Sequence, residues 1–117
     1  MTYLKNKNIV LCVTGSIAAY KSVFLASALV KEGVNLRVIM TKSAKEFVGE
    51  SSFSGISHNQ VITGYYEGKT DLSIDHVSIA KEADLIVVAP ASANSIAKIA
   101  LGISNETIVG TILASNA

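Results

Sequence analysis

An α/β domain with a parallel sheet is predicted by three features of this 117-residue chain. Apolar strand-like runs alternate with helix-like stretches along its length. Two of the runs, Ile9 to Val13 and Leu85 to Ala89, are nearly continuous in apolar residues, as expected of parallel strands covered on both faces. Each ends in a turn of small hydrogen-bonding residues that opens into a helix: Thr14-Gly15-Ser16 after the first run, and Pro90-Ala91-Ser92-Ala93-Asn94-Ser95 after the second. An α/β protein builds its ligand site at turns of this kind.

Ile9 to Val13 reads as the first strand. Ser16 is a plausible N-cap for the stretch from Ile17 to Lys31, which places Ile17, Tyr20, Phe24 and Ala28 at helical spacing. Ala, Leu and Val fill much of the remaining circumference, so this helix is expected to be covered on more than one side. Gly33 suits the left-handed position after a helix, and Asn35 to Met40 reads as the second strand. After the turn at Thr41-Lys42-Ser43, Ser43 is expected to cap a short amphipathic helix carrying Ala44, Phe47 and Val48. The pattern then loosens from Ser51 to Gly55.

Val61 to Tyr65 is a weaker strand candidate, and Glu67 to Asp75 reads as a polar loop. His76 to Ala83 is expected to form a short helical piece before the strand at Leu85 to Ala89. Ser92 or Asn94 starts the next helix, with Ile96, Ile99 and Ala100 inward and Gly102 as its stop. Asn105 to Ala114 fits either a strand or a helix with Ile108, Val109, Ile112 and Leu113 on one face. Ser104 or Asn105 as N-cap favours the helix. A strand should follow in such an alternation, so the chain reads as cut short within its own fold.

Composition narrows the function classes. Half of the residues are hydrophobic and the mean hydropathy is +0.44, more apolar surface than a small monomer easily hides, which predicts an oligomer. The longest uncharged apolar stretch is far short of the roughly 20 residues that cross a bilayer. No signal-peptide pattern occurs at the N-terminus, so a cytoplasmic location without membrane contact is expected. Ten basic against nine acidic side chains leave a net charge of +1 and no basic block, which argues against a nucleic-acid partner. The lone Cys12 rules out an internal disulfide and a multi-cysteine metal site, and its place between Leu11 and Val13 makes it a buried core residue.

In a parallel sheet the turns at Thr14 to Ile17, Thr41 to Ser43 and Pro90 to Ser95 should converge on one edge. Free N–H groups at helix starts favour a phosphate, and Ser16, Thr41 and Ser43 add neutral hydrogen bonds. Helix capping alone explains any one of these hydroxyls; three turns on one edge ask for more. Neither G-x-G-x-x-G nor G-x-x-x-x-G-K-[ST] occurs, which leaves a mononucleotide such as a flavin. His76, next to Asp75 and before a helical piece, is the best proton-exchanging candidate, against a bland reading as a capping or surface histidine. His58 reads as a loop residue and Lys98 as a solvated lysine. Asp71 and Asp75 have no further ligands at useful spacing, so no metal is expected.

Four segments in order carry a resemblance: Gly15-Ser16-Ile17-Ala18-Ala19-Tyr20-Lys21, Met40-Thr41-Lys42-Ser43-Ala44, Asp75-His76-Val77, and Pro90-Ala91-Ser92-Ala93-Asn94-Ser95-Ile96-Ala97-Lys98. The chain resembles the flavin-dependent cysteine decarboxylase family over essentially its whole length, and within it the coenzyme A branch. The resemblance implies a Rossmann-like three-layer sandwich with a parallel sheet, lacking its C-terminal part. Residues 1–117 would then be one FMN-binding domain, the N-terminal two-thirds of the usual family domain, commonly assembled as homotrimers. Gly15, Ser16, Ile17, Thr41, Ser43, Pro90, Ser92, Ala93, Asn94 and Ser95 match cofactor-contacting positions, and His76 matches the active-site histidine.

The implied reaction is decarboxylation of a phosphorylated cysteinyl substrate, 4'-phosphopantothenoylcysteine to 4'-phosphopantetheine. The cysteinyl group would be oxidised to a thioaldehyde, an electron sink for loss of CO2. The family's Pro-x-Met-Asn motif and its cysteine-bearing flap are absent from these residues, and Cys12 in the first strand cannot replace the flap cysteine. Three alternatives remain: a non-catalytic FMN-binding regulatory module, a peptidyl-cysteine decarboxylase of the lantibiotic type, and a plain nucleotide-binding α/β domain whose turns only cap helices.

Overall fold

The computed structural model describes residues 3–63 and 77–117. Three parallel strands form the sheet: β1 (Asn8–Val13), β2 (Asn35–Met40) and β3 (Leu85–Val88), in the order β2-β1-β3. β1 pairs with β2 from Asn8↔Asn35 to Val13↔Met40, and with β3 from Ile9↔Leu85 to Cys12↔Val88. At the sheet's lower end Asp84 fixes this register, its carboxylate accepting from the Asn8 N–H and its own N–H donating to the Asn8 carbonyl, each at 2.7 Å. The strand expected at 61–65 contributes a single bridge, Ile39↔Ile62, beside β2; Gly64 and Tyr65 lie outside the described residues.

The two-residue alternation of β1 and β2 sends side chains into two separate cores. Ile9, Leu11, Val13, Leu36, Val38 and Met40 pack against Ala19 and Ala26 of α1 (Ala19–Lys31) and Phe53 of α2 (Glu50–Ser57). Val10, Cys12 and Ile39 face the other way, onto Ile79 of the helical segment 77–82 (α3) and Ile108 of α5 (Thr107–Ala114). Helices therefore cover both sheet faces, as the continuous apolar runs predict. Between them, α4 (Ala93–Leu101) follows β3 and contacts α5.

Several local expectations change. α1 starts at Ala19 with Ala18 in the cap position; Ser16 instead accepts a hydrogen bond from the Ala18 N–H at 3.1 Å within the preceding turn. Ala19, Ser22 and Ala26 form its buried line, whereas Ile17 (80% exposed), Tyr20 (51%) and Phe24 (71%) point outward. In a helix apolar all round, periodicity does not choose the inward face; close approach to the sheet selects the small residues.

Thr41, not Ser43, caps the turn after β2: its Oγ1 accepts from the Ala44 N–H at 3.2 Å, and Ser43–Glu46 is a 3₁₀ turn. α2 occupies the stretch where the pattern loosens. Burying Phe53 contributes roughly 1.5–3 kcal/mol, more than the cost of about 1 kcal/mol for a helical Gly55, so tertiary contact overrides propensity there. His58 ends α2 in the left-handed conformation, φ 59°.

β3 is only half-buried, with Leu85 exposed, so among the described residues it is an edge strand rather than a central one. α4 begins at Ser92 and stops at Gly102, φ 68°, as expected, but it buries Ser95 while Ile96 and Ala100 are exposed. The ambiguous C-terminal stretch is the helix α5, with Glu106 in the cap position; Ile108 and Val109 are buried and Leu113 is exposed. Among the described residues no helix is long and apolar enough to cross a membrane.

Candidate functional site

Because β2 and β3 lie on opposite sides of β1, the chain leaves β1 at a topological switch point, where the carboxyl ends of the strands open a crevice. Three loops meet there. The β1 and β3 loops are tied by Thr14, a fully buried residue. Its Oγ1 donates to the Pro90 carbonyl at 2.5 Å and accepts from the Ser92 N–H at 2.7 Å; its own N–H donates to the same Pro90 carbonyl at 3.3 Å. The Ala89-Pro90 peptide is cis, and the Ala89 carbonyl accepts from the Ser22 hydroxyl of α1 at 2.6 Å.

The β1 and β2 loops meet at Gly15. A Cβ built there would overlap Ser43 Cβ and lie 3.2 Å from the Ser43 carbonyl carbon, so the two turns approach this closely only with glycine. Alongside, the Thr41 N–H donates to the Val13 carbonyl at 3.1 Å. Gly15, Ser16, Ile17, Thr41 and Ser43, on the β1 and β2 turns, are thus candidates for one wall of the crevice, and Pro90, Ser92, Ala93, Asn94 and Ser95, after β3, for the other.

Hydrogen-bonding capacity within these walls is divided. Ser92 is committed to capping α4: its Oγ accepts from the Ser95 N–H at 3.2 Å and lies 3.0 Å from Ser95 Oγ. Ser95 is buried, whereas Ala93 and Asn94 in the first helical turn are exposed. The N–H groups of Gly15, Ser16 and Ile17 have no hydrogen-bond partner among the described residues. Main-chain donors at a helix start and a tight turn, framed by neutral hydroxyls, suit a phosphate group. A cavity of about 300 Å³ adjoins the crevice, lined by Ala18, Lys21, Ser22, Leu25, Ala89 and Pro90.

Cys12 lies beneath the site. Burial pushes its thiol up to about 12, which keeps it protonated and unreactive at neutral pH. Lys98 is not a solvated lysine: it pairs with Glu106 at 3.2 Å, both one-fifth exposed, joining α4 to α5. Among the described residues no cluster suits a metal ion. His76, Asp71 and Asp75 lie outside the described residues. Thr14 and Ser22, whose hydroxyls tie the loop after β3 to β1 and α1, are not singled out by the sequence; the signal available for Thr14 is a polar β-branched residue closing an otherwise apolar strand.

The sequence model of the Flavoprotein family matches residues 1–116. The chain belongs to the Flavoprotein family. Among related flavoproteins it is 45% identical over 114 residues to the coenzyme A biosynthesis bifunctional protein CoaBC of Bacillus subtilis, covering 97% of this chain and 28% of that protein. It is 39% identical over 108 residues to a Streptococcus mutans protein described as a probable phosphopantothenoylcysteine decarboxylase, covering 92% of this chain and 60% of that one.

The crystal structure of TvaF, an FMN-dependent cysteine decarboxylase from thioviridamide biosynthesis, superposes with a TM-score of 0.84 at 30% identity. It matches 95% of this chain and 68% of TvaF. A phosphopantothenoylcysteine decarboxylase mutant bound to pantothenoylaminoethenethiol superposes at 0.70 and 26% identity, covering 96% and 62%. The chain therefore spans less than a third of CoaBC and about two-thirds of the stand-alone decarboxylases.

Proposed function

We propose that this chain is the FMN-binding part of a decarboxylase acting on a cysteinyl substrate, converting 4'-phosphopantothenoylcysteine to 4'-phosphopantetheine. Residues 1–117 would form the N-terminal two-thirds of that domain, in a cytoplasmic enzyme. The observation that carries the reading is the 45% identity to CoaBC across 97% of the chain. The peptide-acting relative EpiD is also similar in fold, with a TM-score of 0.77, but at 26% identity. Sequence distance therefore favours the coenzyme A branch over the peptidyl one.

The residues present fit FMN. The close Gly15–Ser43 approach would leave main chain rather than side chain facing the ligand, and the N–H groups of residues 15–17 and 93–94 would hold the phosphate. Thr41, Ser43 and Asn94 supply neutral hydrogen bonds, and Pro90, Ser92 and Ser95 shape the wall. When bound, FMN supplies a two-electron acceptor. His76 exchanges the proton that accompanies oxidation of the cysteinyl group.

Visible absorption of the protein after supplementation with FMN and desalting tests the cofactor. Retained flavin bands are expected; a colourless protein overturns the flavin reading, and with it the decarboxylase. The assembly is a homotrimer with a phosphorylated small-molecule substrate, and the exposed ridge of Ile17, Tyr20 and Phe24 is the face that a second subunit covers. Phe24→Asp should shift the sedimenting species towards monomer, with association weakened at least about tenfold as one buried aromatic is lost. An unchanged species would remove this ridge from the interface.

A further inference from the structure

We propose that Thr14 is the positioning residue of the cofactor crevice: its buried hydroxyl fixes residues 90–92 and so aims the first turn of α4 at the ligand. The inference rests on the flavin reading for its ligand, but not for its geometry. The β1–β3 ladder ends at Cys12↔Val88, and main-chain pairing continues only through Ala89 N–H to the Cys12 carbonyl at 3.0 Å and Thr14 N–H to the Pro90 carbonyl. Proline has no N–H to extend the ladder. The Thr14 side chain takes over, giving one hydrogen bond to the Pro90 carbonyl and accepting one from the Ser92 N–H.

Ser92 is the N-cap of α4, so the Thr14 hydroxyl bonds the residue immediately before the first turn of that helix. The Ser22 hydroxyl holds the preceding carbonyl, Ala89, from α1. Two hydroxyls on two elements thus hold successive carbonyls of the loop. Serine at position 14 keeps the donor and acceptor, whereas valine keeps the shape and removes both.

The test compares Thr14→Val, Thr14→Ser and a control, Thr111→Val, in the full chain. Thr111 is equally buried and bonds the Thr107 carbonyl at 2.8 Å within α5, away from the crevice. FMN dissociation constants are measured well below each variant's melting temperature, and amide hydrogen exchange of residues 92–95 is followed in the cofactor-free protein. Thr14→Val is expected to weaken FMN at least tenfold and to speed exchange of the first turn of α4 at least tenfold. Thr14→Ser should stay within threefold of the parent in both, and Thr111→Val should leave both unchanged while lowering the melting temperature.

Unchanged exchange and affinity in Thr14→Val, or equal losses in Thr111→Val, overturn the proposal. Should the parent itself fail to bind FMN, the flavin reading falls while the exchange result still decides the role of Thr14. If Thr14→Val does not fold, Thr14→Ala replaces it, since it removes the hydroxyl without placing a methyl against the Pro90 carbonyl and the Ser92 N–H. A three- to tenfold effect on affinity and exchange supports the role of Thr14, and no effect overturns it.

Discussion

In a full-length version of the protein, replacing His76 with asparagine is expected to leave FMN bound while lowering decarboxylation by about 10²- to 10⁴-fold, the range that a positioned acid or base contributes. Asparagine keeps the size and a hydrogen-bonding group but cannot hold a proton near neutral pH, where an imidazole can. The loss should therefore fall on kcat, with KM little changed, as for an interaction made only in the transition state. His76 immediately precedes α3 (77–82) in the chain. Single-turnover release of CO2 read beside the flavin spectrum separates the outcomes. Turnover within threefold of the parent would remove His76 from the chemistry, and loss of the flavin along with turnover would make it a binding residue.

Gly15→Ala is expected to weaken FMN at least about tenfold and to destabilise the protein by about 1–3 kcal/mol, the usual cost of overpacking. The added methyl would overlap Ser43 Cβ and crowd Ser43 Cα and its carbonyl carbon, at 3.3 and 3.2 Å. The β1 and β2 turns must then separate, and the wall they share opens. Ser43→Gly removes the Cβ side of the overlap but not the main-chain side, so the double variant Gly15→Ala with Ser43→Gly should recover part of the loss. A double-mutant cycle on melting temperature and FMN affinity measures that coupling. Strict additivity of the two substitutions would show that the Gly15–Ser43 approach does not govern the site.

The elements that the sequence made legible are those in which one local signal suffices. Asn35–Met40 is a strand with the expected limits, and Ser92 and Gly102 bracket α4 because each end has its own residue chemistry. The inward face of α1 was misread because Ile17, Tyr20 and Phe24 satisfy helical spacing as well as Ala19, Ser22 and Ala26 do. α2 was missed because Ser, Gly and Ser dilute its pattern and only Phe53 anchors it.

By itself, the sequence determined the parallel α/β class, the three turns that carry the candidate site residues, and the family. Those features are written in hydrophobic period, turn chemistry and motif, all local in the chain. Only the tertiary structure decided that β3 crosses to the far side of β1, so that Thr14 meets Pro90 and Ser92 across a separation of 76 to 78 residues. It also decided that Gly15 is required by its approach to Ser43, that Lys98 is tied to Glu106, and that the bulky residues of α1 face outward. Each of these depends on which distant main chain comes within a few ångströms, a quantity set by packing of the whole sheet and not carried by any segment of sequence.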